Sequence, residues 1–331
     1  MKSPFTGGSV RLEKETRSFE YRKEAFGIVY HYYICNDTGE EFTTAELDTL
    51  NISQVHNKYR SRYGIPPVEE IKQIRTKYGL SAARMSEILG LGINIYRNYE
   101  AGEMPSISIG RYIRLIAEPQ EFLKLVEINK YNLEPATYTE ITGNVLRFLE
   151  VHPETAGQSE LALFNNVLPN IYNGFRAPET KRIGEMIRYF AKELQPFTTA
   201  LNKLLFYADF SHYKKFGKSI SGLTYKAFQM GPVPTNYAGL YNQIVNNGYV
   251  QVCEVDFGDF IGDRFQTLRE AAEEITLTPQ ELQTIAAITE KFKGISTSQL
   301  VRLSHEESAW MENVEKRAEI SYEYSFELKH D

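Results

Sequence analysis

Four residues of this 331-residue chain, Asn94, Arg97, Asn98 and Ala101, recur at i, i+3, i+4 and i+7. On a helix that spacing puts all four on one face. An Asn carboxamide can bond an adenine edge through two hydrogen bonds, and an Arg guanidinium can do the same at guanine. Arg84, Arg111 and Arg114 lie close by in sequence and could meet phosphate oxygens. The chemistry this pattern offers is the reading of a nucleic-acid groove.

Such a face needs short helices on either side of a tight turn, and residues 68–116 supply them. Val68, Ile71 and Ile74 stripe a first helix, with Gly79 suited to its C-cap. Ser81 suits the next N-cap, and Met85, Ile88 and Leu89 form a buried face. Gly90-Leu91-Gly92 makes the turn. The helix that follows is expected to point Ile93, Tyr96 and Tyr99 inward and to end at Gly102 and Pro105. Ile109, Tyr112, Ile113 and Ile116 stripe a fourth helix. Residues 55–130 carry 12 Lys/Arg against 8 Asp/Glu, a basic island in a chain of net charge −6. The NYEAGEMPS segment resembles the repressor-type helix-turn-helix of phage repressors and of HigA- and MqsA-type antitoxins. The resemblance implies that Asn94, Arg97 and Asn98 read bases and that Glu100 is structural. Operator DNA and a homodimer follow as expected partners, because paired half-sites mirror two-fold symmetry.

The amino-terminal region reads as β-rich. Strand-like runs at Phe19–Arg22 and Ile28–Cys35 are bounded by turn signals at Gly7-Gly8 and Asn36–Gly39. A helix is expected from Thr43 or Thr44, with Leu47 and Leu50 on one face. Ser3-x-x-Thr6-Gly7 and Cys35-x-x-Thr38-Gly39 share the spacing of a zinc-ribbon pair of ligand turns. This resembles the MqsA/YgiT-type zinc domain that precedes a helix-turn-helix in that family. Three of the four ligand positions here are hydroxyls, and neutral Ser and Thr are poor zinc ligands. The reading is a metal-free domain, with no cofactor, held by an aromatic core of Phe5, Phe19, Tyr21, Phe26, Tyr30, Tyr32 and Phe42.

From residue 178 a third region reads as α+β. Pro178 suits a helix N1 position, followed by an apolar stripe of Ile183, Ile187 and Phe190. Further elements are a helix at 198–213, a strand at 223–229 ending at Gly231-Pro232, a helix at 235–247 and a hairpin at 249–268. Helices at 279–293 and 297–317 close the chain. The blocks KLLFYADFSHYKKFGKSISGLTYKAFQMGPVP (203–234) and TSQLVRLSHEESAW (297–310) resemble the SocA-like Panacea domain of PanA-type antitoxins. The resemblance implies direct contact with a toxin protein. Tyr207, Tyr213, Lys214, Lys215, Pro232 and Tyr237 are the expected contacts, since Tyr and basic side chains suit binding surfaces. Asp209, His212 and His305 could act as acids or bases. No nucleophile motif, phosphate loop or metal-spaced cluster accompanies them, so an enzyme is not expected.

These elements add up to an α+β multidomain chain: a degenerate zinc-ribbon-like domain (1–64), an all-α helix-turn-helix domain (65–132), a connecting region (133–177) and a mainly helical α+β domain (178–331). The functional expectation is an antitoxin that represses its own operon. The alternative is a plain transcription regulator whose carboxyl-terminal domain binds a ligand or adaptor. Two cysteines, Cys35 and Cys253, give no disulfide framework. No apolar run approaches a membrane span and none marks a signal peptide, so a cytoplasmic location is expected.

Overall fold

The computed structural model describes residues 1–151, 164, 168–259, 261–268 and 276–331. Much of the expected connecting region (152–163 and 165–167) lies outside the described residues. The chain divides into two compact units, Met1–Lys58 with Pro169–Asp331, and Tyr59–Leu168.

The first unit opens with a long antiparallel hairpin, β1 (Val10–Tyr21) and β2 (Glu24–Cys35), in register from Val10↔Cys35 to Tyr21↔Glu24. Arg22 and Lys23 make the two-residue turn, both at positive φ, the backbone hand that a tight hairpin requires. Arg22 therefore lies in the turn, not in the strand predicted over Phe19–Arg22. A short β3 (Glu41–Phe42) pairs with the far end of β2. Phe26 and Tyr32 are buried as expected, whereas Phe5 is 48% exposed and meets only the edge of Phe42.

Beyond β3 the edge of β2 would be left open, and α1 (Ala45–Tyr63) closes it in an unusual way. The Asn51 carboxamide accepts from His31 N and donates to His31 O, both at 2.9 Å. One turn on, Gln54 accepts from Val29 N at 3.0 Å and donates to Val29 O at 2.8 Å. Two side-chain amides thus take the place of a neighbouring strand and block an edge that would otherwise pair with another chain.

The carboxyl-terminal part contains α8 (Thr180–Leu194), α9 (Thr198–Phe216), the hairpin β4 (Tyr225–Phe228) and β5 (Gly231–Pro234), and α10 (Tyr237–Asn246). The hairpin β6 (Val250–Asp256) and β7 (Ile261–Thr267) follows, then α11 (Pro279–Phe292), α12 (Thr297–His305) and α13 (Ser308–Met311). Three expectations are corrected. Pro178 lies before Glu179, the N-cap of α8, so it precedes the N1 position. Gly231-Pro232 opens β5 rather than ending a strand. The helix expected over 297–317 stops at His305, because Glu307 turns inward to accept Lys329 N at 3.0 Å and His330 N at 3.1 Å. No helix among the described residues is long and apolar enough to cross a membrane.

The second unit is helical: α2 (Val68–Lys77), α3 (Ala82–Ile88), α4 (Ile95–Glu100), α5 (Ile107–Leu115), α6 (Pro119–Ile128) and α7 (Pro135–Val151). Ile71, Ile74, Met85, Ile88, Tyr96, Ile113, Phe122 and Val126 form its core. Tyr78 stacks on Phe122 at 4.1 Å, and its hydroxyl donates to Ile116 O at 2.7 Å.

Substituting Asn51→Ala leaves a buried N–H and C=O of β2 without partners, a cost of about 1–3 kcal/mol. The expected result is a lower denaturant midpoint with an unchanged slope.

Candidate functional site

In the helical unit, Ser81 caps α3 by accepting from Arg84 N at 3.1 Å, as its position predicts. Gly90 sits at φ +67 in the turn that follows. The buried Ser86 hydroxyl accepts from Tyr96 N at 3.0 Å, and Tyr96 donates to Ile71 O at 2.7 Å, so α4 is fixed at its first turn. Glu100 holds the other end. Its carboxylate takes Arg75 Nε at 2.6 Å and a second guanidinium nitrogen at 3.2 Å, while the same Arg75 donates to Leu80 O at 2.6 Å. Glu100 is thus a structural residue.

Asn94, Arg97 and Asn98 are all exposed, on the side of α4 opposite the buried Tyr96 and Tyr99. None of their side chains has a hydrogen-bond or ion-pair partner among the described residues. The other basic candidates are engaged. Arg114 is half-buried, donates to Gly64 O at 3.0 Å and grips the Glu70 carboxylate at 2.9 and 3.4 Å. Arg111 donates to Tyr63 O at 3.0 Å and Arg84 pairs with Glu87, both from solvent-facing positions. Ile93, expected to point inward, is 70% exposed. It precedes the helix proper, which begins at Ile95, so the inward periodicity does not reach it.

At the amino terminus the two matched turns fold alike. Gly7 N donates to Ser3 O at 2.9 Å and Gly39 N to Cys35 O at 2.8 Å, and both glycines have positive φ. Ser3 and Cys35 are buried, and the Thr6 hydroxyl lies 3.6 Å from Cys35 Sγ and 2.6 Å from the Asp37 carboxylate. The Ser3 and Thr38 hydroxyls bring the Cys35 thiol down to about 6, opposed by its burial and aided by Thr6. One thiol and three hydroxyls do not fit zinc, which takes thiolate, imidazole or carboxylate donors. Hydroxyl hydrogen bonds hold these turns. No cluster of three or more His, Cys, Asp or Glu suited to a metal occurs among the described residues.

The carboxyl-terminal domain is organised on α9, which is apolar nearly all round and buried from Leu201 to Tyr213. Five of its polar side chains each hold a different part of the chain. Asn202 accepts from the Tyr241 hydroxyl of α10 at 2.5 Å. Lys203, fully buried, donates to Pro232 O at 2.9 Å, and burial lowers its ammonium to about 7. Tyr207 donates to Glu307 at 3.2 Å. Asp209 accepts from Ile220 N and Ser221 N at 2.8 Å, from the Tyr225 hydroxyl at 2.7 Å, and from the Ser221 hydroxyl. Burial raises the Asp209 pKa, against these hydrogen bonds. His212 Nδ1 lies 3.0 Å from the Thr284 hydroxyl of α11, and burial lowers the imidazole to about 3. Asp209 and His212 are therefore buried groups that hydrogen-bond within this part of the chain.

The β4–β5 hairpin is seated just as tightly. A side chain at Gly231, which has φ +98, would come within 2.4 Å of Ser304 Oγ and 2.7 Å of Lys203 Cε. Trp310 stacks on His305 with ring centroids 3.9 Å apart and donates to Phe228 O at 2.7 Å. The tip then leaves Phe228, Met230 and the nearby Met311 exposed at 38%, 55% and 47%.

Residues 201–311 match the family model described as antitoxin SocA-like, Panacea domain. No curated protein and no solved structure matches the chain. The description of the Panacea domain points to an antitoxin-type role with a toxin as partner. Of the six expected contacts, Tyr207, Tyr213 and Pro232 are buried and face the core, not the surface. Their aromatic and apolar character reflects the burial of α9 and β5. Lys214 is half-buried and bonds Asp331 at 2.9 Å, and Tyr237 is 37% exposed. Lys215 is exposed and lines a cleft of about 420 Å³ with Leu50, Phe216, Glu46 and Gln280. The exposed Phe228, Met230 and Met311 were missed. The signal available was the Gln229-Met230 pair before a glycine, which marks the hairpin tip.

Because the folded-state thiol of Cys35 titrates near 6 and an unfolded one near roughly 8.5, the folded state binds fewer protons between those values. Stability is expected to rise with pH across that window and to be lost as pH falls through the lower value. Cys35→Ser should flatten the rise in denaturation midpoints measured from pH 5 to 9. An unchanged slope would count against a buried thiolate.

Proposed function

We propose that this chain is the antitoxin of a type II toxin–antitoxin pair, neutralising its toxin by direct contact and repressing its own operon through the helical unit. The match of residues 201–311 to the Panacea domain carries the antitoxin part. The exposed apolar hairpin tip, Phe228 and Met230, together with Met311 of α13, is a surface suited to the toxin, since exposed apolar residues on a rigid support suit protein contact. A non-enzymatic role accords with the burial of Asp209 and His212, the first holding the 220–225 segment and the second bonded through Nδ1 to Thr284.

The operator-binding part rests on a division of labour among side chains. Arg75 and Arg114 are held by Glu100 and Glu70. Asn94, Arg97 and Asn98 stand exposed without such ties, on a helix fixed at both ends. We read α3, its turn and α4 as a helix-turn-helix, with α4 entering a major groove and a homodimer spanning two half-sites. The alternative is a plain transcription regulator whose carboxyl-terminal part binds a ligand or adaptor.

Co-expression with the product of the adjacent open reading frame tests the main reading. That product should arrest growth alone, co-purify with this chain and be neutralised by it. Phe228→Asp with Met230→Asp should weaken capture at least tenfold while leaving the fold intact. A harmless neighbour that forms no complex would favour the plain regulator.

Arg97→Ala should cost about 1–3 kcal/mol of operator affinity and relax base preference at one position. A loss equal on all sequences would instead mark a phosphate contact.

A further inference from the structure

An exposed isoleucine at the mouth of a polar face calls for an explanation. Ile93 is 70% exposed, while its neighbours Leu91 and Ile95 pack partly against the core of the helical unit. The turn itself expels it. A side chain at Gly92 would lie 3.2 Å from Ile95 Cγ1, so the glycine lets Ile95 fold back while Ile93 stays outside. Asn94, the N-cap of α4, already has near-helical backbone (φ −101, ψ −4). At ~100° per residue, Arg97, Asn94 and Asn98 then fall within an arc of roughly 100°. Tyr96 and Tyr99 lie outside that arc, in the core. Ile93, exposed and next in sequence to Asn94, is thus the apolar neighbour of that face.

We propose that Ile93 is a base-reading residue that contacts the C5-methyl group of a thymine in the major groove of double-stranded DNA. The inference rests on the operator-binding reading above and adds a specificity that Asn and Arg cannot supply. Hydrogen-bonding side chains recognise adenine and guanine edges, whereas the thymine methyl is the apolar feature of the groove. Burying it against an isoleucine removes apolar surface of both from water. Near the start of α4, Ile93 has the position from which recognition helices contact base edges.

Deoxyuridine differs from thymidine only by that methyl group, so it tests the contact directly. Duplexes would be selected from a random pool by the full-length chain, and the selected duplex resynthesised with each thymine in turn replaced by deoxyuridine. Wild-type protein should lose about fourfold in affinity at one thymine per half-site, the worth of one buried methyl. Ile93→Ala should bind the thymine and deoxyuridine duplexes equally at that position. As the residue is exposed, the variant should keep the wild-type thermal transition. Wild-type indifference to deoxyuridine at every position would overturn the inference, as would full sensitivity retained by Ile93→Ala. Equal weakening of Ile93→Ala on all duplexes, with a changed oligomeric state, would assign Ile93 to a protein–protein contact and overturn it as well. Failure to enrich any duplex would sink the operator-binding reading itself, an outcome separate from failure at Ile93.

Discussion

A polar side chain on a helix buried on all sides is costly unless it finds a partner, and that constraint shapes α9, where the Ser211 hydroxyl is an exception. An unpaired polar group in such a setting costs about twice what a formed hydrogen bond returns. Asn202, Lys203, Tyr207, Asp209 and His212 meet the requirement by reaching outward to five separate parts of the chain. The helix therefore fixes α10, β5, the start of α13, the 220–225 loop and α11 at once. Residues that look from their chemistry like a proton-transfer apparatus are the joints of the domain. The same principle closes the β2 edge, where Asn51 and Gln54 satisfy backbone groups that no strand reaches.

The helical unit spends its charges differently. Arg75 and Arg114 are drawn in by paired carboxylates, and each also satisfies a backbone carbonyl, so they brace helices and loops. The residues left outside, Ile93, Asn94, Arg97 and Asn98, sit on a support that is already rigid. A groove-reading surface gains from such preorganisation, because little side-chain or backbone ordering remains to be done on binding.

Much of this was legible in the sequence. The cap at Ser81, the αL glycines at Gly79 and Gly90, and the buried faces of α2, α3 and α5 follow from local rules and occur in the structure. The polar face of α4 was legible for the same reason. Ile93 was misread because periodicity was extended two residues beyond the helix that imposes it. Tyr207, Tyr213 and Pro232 were misread because binding surfaces and buried helices both favour aromatic and apolar residues, and composition alone does not separate them. Long-range contacts left no local trace. His31 stacks at 4.6 Å on Phe326, and Lys58 pairs with Glu323 at 2.7 Å, yet nothing around either residue marks its partner.

The order in which the two units can be completed differs. Tyr59–Leu168 is a continuous stretch, whereas the other unit needs Met1–Lys58 and Pro169–Asp331 together. During synthesis the amino terminus proceeds first and domains fold as units. The helical unit has its full set of contacts as soon as its own residues have emerged. The first 58 residues must wait for a carboxyl-terminal half that is still unmade, including Phe326, the last-made residue to which Lys14 and His31 attach. A nascent chain at that stage would hence hold a finished helical unit while the other unit still lacks Pro169–Asp331.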